Sequence, residues 1–556
     1  MRIALGLHTG HDRAASLVID GELKAHVTQE RLDRKKHSES SALPFEAIDA
    51  ALADARIDFS ALSCVGISYV NCEADRFHDY YLDGLRSRYG PVHADVFMVP
   101  HHLAHAYAAF FTSPFSEAIV LVADGAGDLV DGQFYESESA YLARPGGIEL
   151  VDRRLQAASP EFQKHPFFFN ASLIADADRD KQVSLGKKYE QFSYLLGFSH
   201  FEDGKTMGLA SYGKPMFDVR DWRPEDFSFS LTMADLLAEV ETTRRQSGLS
   251  HHAFVSAHRA DLASTVQCFI EEALTGLLTH LRREAGDLPL CAAGGVILNC
   301  VANAVALRRT RFSAAHLLPP AGDDGQSIGT AFYADRRLQP KLSRRITRFS
   351  PYLGPSYETR NIRQTLEAFG LGYTVLDDEG LASRVAQTIA SGRVVGFFRG
   401  RSEMGPRALC HRSILADPTR EDMKDHLNLR VKFREEFRPY APVVPSEVQH
   451  EYFDLVMDSP HMLLAGSVRP AFRDRLPAIT HIDGTARVQA ISQLDDPFVH
   501  RLLHAVGERT GLPILLNTSF NIAGDPIVET PHDAVACFLR TNIDALTIEN
   551  FFVEKS

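Results

Sequence analysis

Ala118-Ile119-Val120-Leu121-Val122-Ala123-Asp124-Gly125-Ala126-Gly127-Asp128 reads as a continuous apolar strand running into a glycine-rich turn, with Gly132-Gln133-Phe134-Tyr135 as the returning strand. The grammar repeats that of the start of the chain. There Ile3-Ala4-Leu5-Gly6-Leu7 leads through His8-Thr9-Gly10-His11-Asp12 to Ala15-Ser16-Leu17-Val18-Ile19, and Asp20-Gly21 turns into Leu23-Lys24-Ala25-His26-Val27. Asp-Gly between apolar runs is a strong hairpin signal. An aspartate at a strand end, followed by glycines that permit tight turning, can aim a carboxylate at a metal or a phosphate. The turn at Gly10 can likewise bring backbone N–H groups to an oxygen, although taken alone it is better explained as an ordinary hairpin.

Between the two hairpins lies His101-His102-Leu103-Ala104-His105-Ala106-Tyr107, preceded by a strand-like 94–100 ending in proline and followed by helix-forming residues to Phe111. His101 and His105 are four apart, so a helix stacks them on one face, where they can grip one divalent ion. His102 points off that face. A half-buried helix whose histidines satisfy carbonyls accounts for the pair when it stands alone. Residues 45–57 read as an amphipathic helix, 64–70 as a buried strand, and Glu30–His37 as a charge run of the kind that marks a solvated face.

Further on, residues 185–192 look helical, and 202–214 are dense in Gly and Lys, which fits a nucleotide-facing loop. A long helix is expected over 261–285. Pro289–Asn303 reads as strand, Gly294-Gly295 turn and helix, a place where a nucleotide can approach a helix N-terminus. After a strand at 315–318, Asp323 and Asp324 stand just before another helix, where either could simply cap it.

With 556 residues, 45% hydrophobic and 24% charged, the chain has the make-up of a soluble protein of several domains. A formal charge of −13 argues against a general nucleic-acid or membrane-surface binder. No apolar run approaches a membrane span, and Met1–Leu5 opens as a strand, not a signal peptide. Seven dispersed cysteines without C-x-x-C spacing suit a reducing, cytoplasmic setting. Residues 341–355, basic and proline-spaced, read as a linker between a domain at 1–340 and another at 356–556. In the latter a helix at 380–391 and a strand at 394–398 precede cationic clusters at Arg399–Ser413, Asn428–Pro439 and Gly484–Gln489, and then Asn517-Thr518-Ser519-Phe520-Asn521. Arginine, lysine and neutral Ser/Asn donors in one domain suggest a phosphate pocket.

In this order, Gly10-His11-Asp12, Glu30-Arg31…Lys36-His37, His101-His102-x-x-His105-Ala106, Asp124-Gly-x-Gly, Gly204-Lys205-x-Met207-Gly208-Leu209-Ala210-x-Tyr212-Gly213, Gly294-Gly295-Val296-x-Leu298-Asn299, Gly322-Asp323-x-Gly325, Gly405-Pro406-Arg407-Ala408-Leu409-x-His411-Arg412-Ser413, Phe437-Arg438-Pro439 and Asn517–Asn521 span nearly the whole chain. So arranged, the chain resembles the ATP-dependent O-carbamoyltransferases of antibiotic, toxin and nodulation-factor biosynthesis. The resemblance implies an α/β fold: a duplicated actin/hexokinase-like domain, similar to the tRNA threonylcarbamoyl-transferases, followed by a YrdC-like α/β domain. It implies that the latter makes carbamoyl-adenylate from carbamoyl phosphate and Mg-ATP, held by Arg407, Lys432, Arg438, Arg487, Asn517, Ser519 and Asn521.

The first domain would then transfer the carbamoyl group to a hydroxyl of a small natural-product acceptor, with a metal on His101, His105, Asp124 and Asp323. The family pattern selects Asp323 over Asp324. Fe(II) is the family's ion; Mn(II) and Zn(II) suit the same ligands. Gly204, Lys205, Gly208, Gly294, Gly295 and Asn299 would bind the adenylate, and His11, Lys36 or His37 would take the hydroxyl proton or orient the carbamoyl group. No nucleic acid or membrane partner is expected, and a homodimer is admitted. Cys410 stands where Gly is usual in the family, Arg13 where a small residue is, and Ala304 where Gly is common. A tRNA-modifying relative is disfavoured by the acidic balance. A metallohydrolase would need His-Glu-x-x-His, which is absent. A nucleotide-binding regulator on the same fold would bind nucleotide without carbamoyl chemistry.

Overall fold

The structure, a computed structural model, describes residues 1–69, 77–144, 146–157, 184–228, 233–340 and 348–555. It divides into two units: Met1–Gln29 with Glu39–Phe349, and Glu30–Ser38 with Ser350–Ser556. In the first unit, β1 (Ile3–His8), β2 (Ala14–Ile19) and β3 (Glu22–Thr28) form an antiparallel meander. From β1 the sheet continues in parallel through β4 (Cys64–Ser68) and β5 (Asp95–Met98), giving the order β3-β2-β1-β4-β5. The second sheet repeats this plan. β6 (Ala118–Ala123), β8 (Phe134–Arg144) and β9 (Gly147–Ala157) form the meander, β10 (Leu290–Ala293) and β11 (Ala315–Leu317) extend it in parallel, and the short β7 (Leu129–Val130) edges β8.

The helices repeat as well. Phe45–Ala55 and Arg259–Ala285 follow the two meanders, His78–Tyr89 and Cys300–Thr310 cross over between the parallel strands, and His101–Thr112 and Gln326–Leu338 close the two halves. This is the duplicated actin/hexokinase-like arrangement that the resemblance implies and with which the paired hairpins agree. β1, β4, β6 and β10 are buried along their whole length, which is why they read as unbroken apolar runs. The closing helix of the second half lies on the sheet of the first half, and glycines let it come close. A Cβ on Gly6 would sit 1.9 Å from Ser327 O, and one on Gly66 2.2 Å from Thr330 O.

The second unit is built on a mixed sheet. Its order is β12 (Thr374–Val375), β22 (Phe551–Glu554), β21 (Ala545–Ile548), β13 (Val395–Phe398), β14 (Arg412–Ala416), β20 (Leu515–Ser519), β15 (Ala441–Pro445), β19 (Gln489–Ile491). A small sheet of β16 (Phe453–Asp454), β17 (Ala465–Val468) and β18 (Thr485–Arg487) accompanies it. Strand alternation sorts the core onto two faces. Val395, Phe397 and Leu415 pack with Val385 and Leu502 of the helices Asp378–Ala390 and Pro497–Thr510. Phe398, Ile414 and Leu516 pack with Leu366 and Phe538 of Thr359–Ala368 and Pro531–Arg540 on the other face.

Two expectations are corrected here. Residues 203–210 form a helix, Asp203–Ala210, where a loop was expected, because Thr206, Leu209 and Ala210 are buried on a helical face and Thr206 Oγ1 pairs with Ser193 Oγ at 2.7 Å. The charge run at 30–37 is not uniformly solvated. Arg31 is buried and donates to Gly405 O at 2.9 Å, and Arg34 donates to Ile527 O at 2.7 Å and Pro526 O at 2.8 Å, which is why Glu30–Ser38 belongs to the second unit. Val70 and residues 341–347 lie outside the described residues, while Tyr352 donates to Leu409 O and stacks on His411 within the second unit.

Candidate metal centre and anion pocket

The duplication assembles a cluster from equivalent places in the two halves. His8 ends β1 and Asp124 directly follows β6; His101 and His105 lie in the closing helix of the first half, and Asp323 sits three residues before that of the second. The two closing helices touch at Gly329, where a Cβ would fall 1.7 Å from Ala104 O. That approach brings His105 Nε2 to 3.2 Å from Asp323 Oδ1, across 218 residues of chain. His101 Nε2 lies 3.1 Å from Asp124 Oδ2 and 3.4 Å from Asp323 Oδ1, and His105 Nε2 lies 3.5 Å from Asp124 Oδ2. The outer oxygen of Asp323 faces His11 Nε2 at 3.2 Å and His8 Nε2 at 3.5 Å.

Burial would raise the two carboxyl groups. The surrounding imidazoles overcome it, chiefly His101 and His11 at Asp323 and the bonds from His101 and His105 at Asp124, and both are held well below the ordinary range. Burial works against the charged imidazole too. His8 is depressed by it, whereas Asp323 outweighs it at His101 and raises His11 to about 9.

These residues fit a divalent ion. Metal–ligand bonds of ~2.0–2.2 Å in a tetrahedral shell place neighbouring donors ~3.3–3.5 Å apart, and the two Nε2 atoms lie 3.1–3.5 Å from the two carboxylates, close to that spacing. All four donor atoms lie within 4.8 Å of one another and all four residues are buried. Among the described residues His105 Nδ1 and Gln326 Oε1 are buried without a hydrogen-bond partner, while Gln326 Nε2 lies 2.9 Å from His101 Nε2. Supporting groups fix the ligands. Gly295 N–H donates to Asp124 Oδ1 at 2.9 Å, and Asp128 accepts His101 N–H at 2.7 Å.

The Gly-Gly turn therefore serves Asp124 directly: Gly294 has φ 97° and its Cβ would lie 2.2 Å from Ala123 O. Asn299 caps the helix Cys300–Thr310 through Ala302 N–H at 3.0 Å and exchanges amide bonds with Gln267. In the helix Asp203–Ala210, Gly204 is exposed, Gly208 is buried and Lys205 pairs with Glu202 at 2.6 Å. Sequence reasoning missed His8, Asp128 and Gln326. Gln326 was legible only as the residue three beyond Asp323. Gly329→Ala is expected to push the closing helices apart and weaken metal affinity by ~10–100-fold, as loss of ligand support does. Metal titration of the purified variant checks this, and wild-type affinity would refute it.

In the second unit Lys432 ends the turn Asn428–Lys432 and is fully buried. Its ammonium donates to Ser519 O at 2.7 Å, Ser519 Oγ at 3.1 Å and Asn521 O at 2.9 Å, and also to Asn521 Oδ1, all at the end of β20. Burial drives its pKa far down, and Arg434, Arg438 and Lys36 push the same way. Arg434 is itself lowered to about 10 by burial, with Arg438 and Arg487 as like-charged neighbours, and lies over the Tyr440 ring at 4.2 Å. Cations that depress one another in this way form a place that an anion stabilises. Arg434 was not singled out in the sequence. His37 sits in the Glu30–Ser38 segment with its N–H on Glu30.

Arg407 is half-buried on the loop 405–411, which Glu403 holds by accepting the N–H groups of Leu409 at 2.7 Å and Arg412 at 3.1 Å. Asn517 turns into the protein and donates to Ala408 O at 3.1 Å and Gln489 Oε1 at 2.7 Å, so its visible work is to hold that loop. Cys410 has φ 78°, a conformation that favours glycine, the residue the resemblance leads one to expect there. Beside Asn521 a cavity of about 290 Å³ is lined by Arg34, Asp525, His532, Cys537 and Arg540 among others.

Residues 81–332 match the family described as carbamoyltransferase N-terminus, and residues 386–555 that described as carbamoyltransferase C-terminus. Nodulation protein NolNO of Sinorhizobium fredii is 33% identical over 98% of this chain and 79% of its own length. Nodulation protein NolO of Bradyrhizobium diazoefficiens is 33% identical over 82% of this chain and 78% of its own. Among solved structures, HypF of T. kodakarensis aligns with 62% of this chain and 49% of its own at 14% identity and a TM-score of 0.43.

Proposed function

Because the chain belongs to the carbamoyltransferase family and is an enzyme that transfers carbamoyl groups, we propose that it does so in two steps divided between its units. In the second unit, water cleaves carbamoyl phosphate to carbamate and phosphate, and a carbamate oxygen attacks the α-phosphorus of Mg-ATP. Carbamoyl-adenylate forms and pyrophosphate leaves. In the first unit the oxygen of a small hydroxylated acceptor attacks the carbamoyl carbon, the bond to the adenylate oxygen breaks, AMP departs and the hydroxyl proton is released.

Lys432, Arg407, Arg434, Arg438 and Arg487 would neutralise charge on the phosphoryl oxygens, with Ser519 and Asn521 adding neutral contacts. Burial and neighbouring cations disfavour the charged form of Lys432, a cost that an arriving polyanion would offset. In the first unit His101, His105, Asp124 and Asp323 would hold the divalent ion, with Gly295 N–H fixing the Asp124 carboxylate. When bound, that ion supplies Lewis-acid polarisation of the carbamoyl carbonyl; Fe(II), Mn(II) and Zn(II) all suit the ligand set. His11, with 13% of its side chain exposed, is the accessible histidine of the cluster, and we assign it to face the carbamoyl group or the acceptor hydroxyl.

The observation that carries this reading is the convergence of four buried donors within 4.8 Å, from both halves of the first unit. The test combines purified protein, ATP, carbamoyl phosphate, metal and hydroxyl acceptors, with pyrophosphate and AMP followed in time. Pyrophosphate release is expected only when carbamoyl phosphate is present. ATP bound without carbamoyl phosphate-dependent pyrophosphate would overturn adenylation and favour a nucleotide-binding regulator.

A further inference from the structure

A second set of metal-ligating side chains lies in the second unit, outside the anion pocket. His500 and His504 are four apart on the helix Pro497–Thr510, so they share one face. That helix is anchored by its buried face, Val499, Leu502 and Val506, and by Asp496, which accepts Phe498 N–H and Val499 N–H at 2.9 Å. Glu447 comes from a separate element, the turn Ser446–Val448 directly after β15. Its Oε1 lies 2.8 Å from His500 Nε2 and 3.3 Å from His504 Nε2. The three donor atoms lie within 4.8 Å of one another, and both imidazoles present the same ring nitrogen to one carboxylate oxygen.

We propose that Glu447, His500 and His504 form a binding site for a borderline divalent transition ion such as Zn(II). Two imidazoles and a carboxylate select that class over Mg(II) or Ca(II), which prefer oxygen-only shells. His504 is about half exposed at 52% and Glu447 at 47%, so water completes the coordination and the site is open at the surface. Donor separations of 2.8 and 3.3 Å need only a slight opening to reach the ~3.3 Å that tetrahedral coordination requires. An ion held there staples the helix to the end of β15, the neighbour of β20 that carries Ser519. None of the three residues belongs to the machinery assigned above.

Untagged protein, already loaded at the first centre, is dialysed against micromolar Zn(II) and its metal content measured beside that of the His500→Gln/His504→Gln double variant. Wild type is expected to retain one equivalent of Zn(II) more than the double variant. Glu447→Gln, which leaves both imidazoles in place, is expected to bind that ion more weakly in calorimetric titration. Zn(II) should raise the unfolding temperature of wild type and not of the double variant, and carbamoyl phosphate-dependent turnover without added Zn(II) should be the same in both. Equal Zn(II) retention by the two proteins overturns the proposal and leaves a carboxylate hydrogen-bonded to two histidines.

Discussion

His105→Ala is expected to abolish carbamoyl transfer to acceptor while carbamoyl phosphate-dependent pyrophosphate release continues. His105 meets both carboxylates of the cluster, Asp323 at 3.2 Å and Asp124 at 3.5 Å, and is completely buried. Alanine leaves those carboxylates facing a void and removes one of the two nitrogen donors of the proposed metal site, so an ion held there would be lost or displaced. A fall of ~10³-fold or more in transfer, about 4 kcal/mol of transition-state stabilisation, is the size expected when a metal-held electrophile is lost. The residues proposed for adenylation all lie in the second unit, so pyrophosphate release should stay within a few-fold of wild type. Parallel assays of carbamoylated product and pyrophosphate separate the steps. Loss of both together, in a variant with wild-type circular dichroism, would defeat the assignment of the two chemistries to different units.

Lys432→Met is expected to give the opposite pattern, with pyrophosphate release falling by ~10²–10³-fold, as when a charge-stabilising donor is removed from a phosphoryl-transfer site. Methionine keeps the length of the side chain and most of its volume but cannot donate to Ser519 and Asn521. Ser519 O keeps the Asn521 N–H at 3.1 Å, whereas part-buried Asn521 O loses the Lys432 donor, which costs at most about 1–3 kcal/mol. The loss is offset in part because a desolvated ammonium among arginines is no longer buried. Metal content of the first unit should be unchanged, and measuring it in the same preparation distinguishes a lost catalytic cation from a misfolded chain. Wild-type pyrophosphate release by this variant would remove Lys432 from the mechanism.

Much of this architecture is visible along the chain. Apolar strand, glycine turn and returning strand occur at 3–19 and again at 118–135, and the two sheets follow the same order. The helix through His101 and His105 was legible from its spacing, and so were the strand, turn and helix at 290–303. Where local reading failed, tertiary burial decided. Gly204 and Gly208 suggested a loop at 202–214, yet Leu209 and Ala210 had a core to enter and the segment folds as helix. Charge at 30–37 suggested solvent, but Arg31 faces the buried carboxylates Glu403 and Glu529 at 4.0 and 3.9 Å. Asn517 belonged by motif to a phosphate-binding turn; in the folded unit its amide holds the 405–411 loop.

The sequence alone determined the periodic elements, the turn chemistry and the shared face of the two histidines, because these depend on residues within a few positions of one another. The resemblance already implied Asp124 and Asp323 for those histidines; only the tertiary structure decided how closely they meet, that His8 and Gln326 join them, and that Glu30–Ser38 packs with the second unit. Such meetings depend on how closely two distant backbones can approach. At Gly329 the answer is set by a missing Cβ, which lets one closing helix rest against Ala104 of the other and draws Asp323 onto His105.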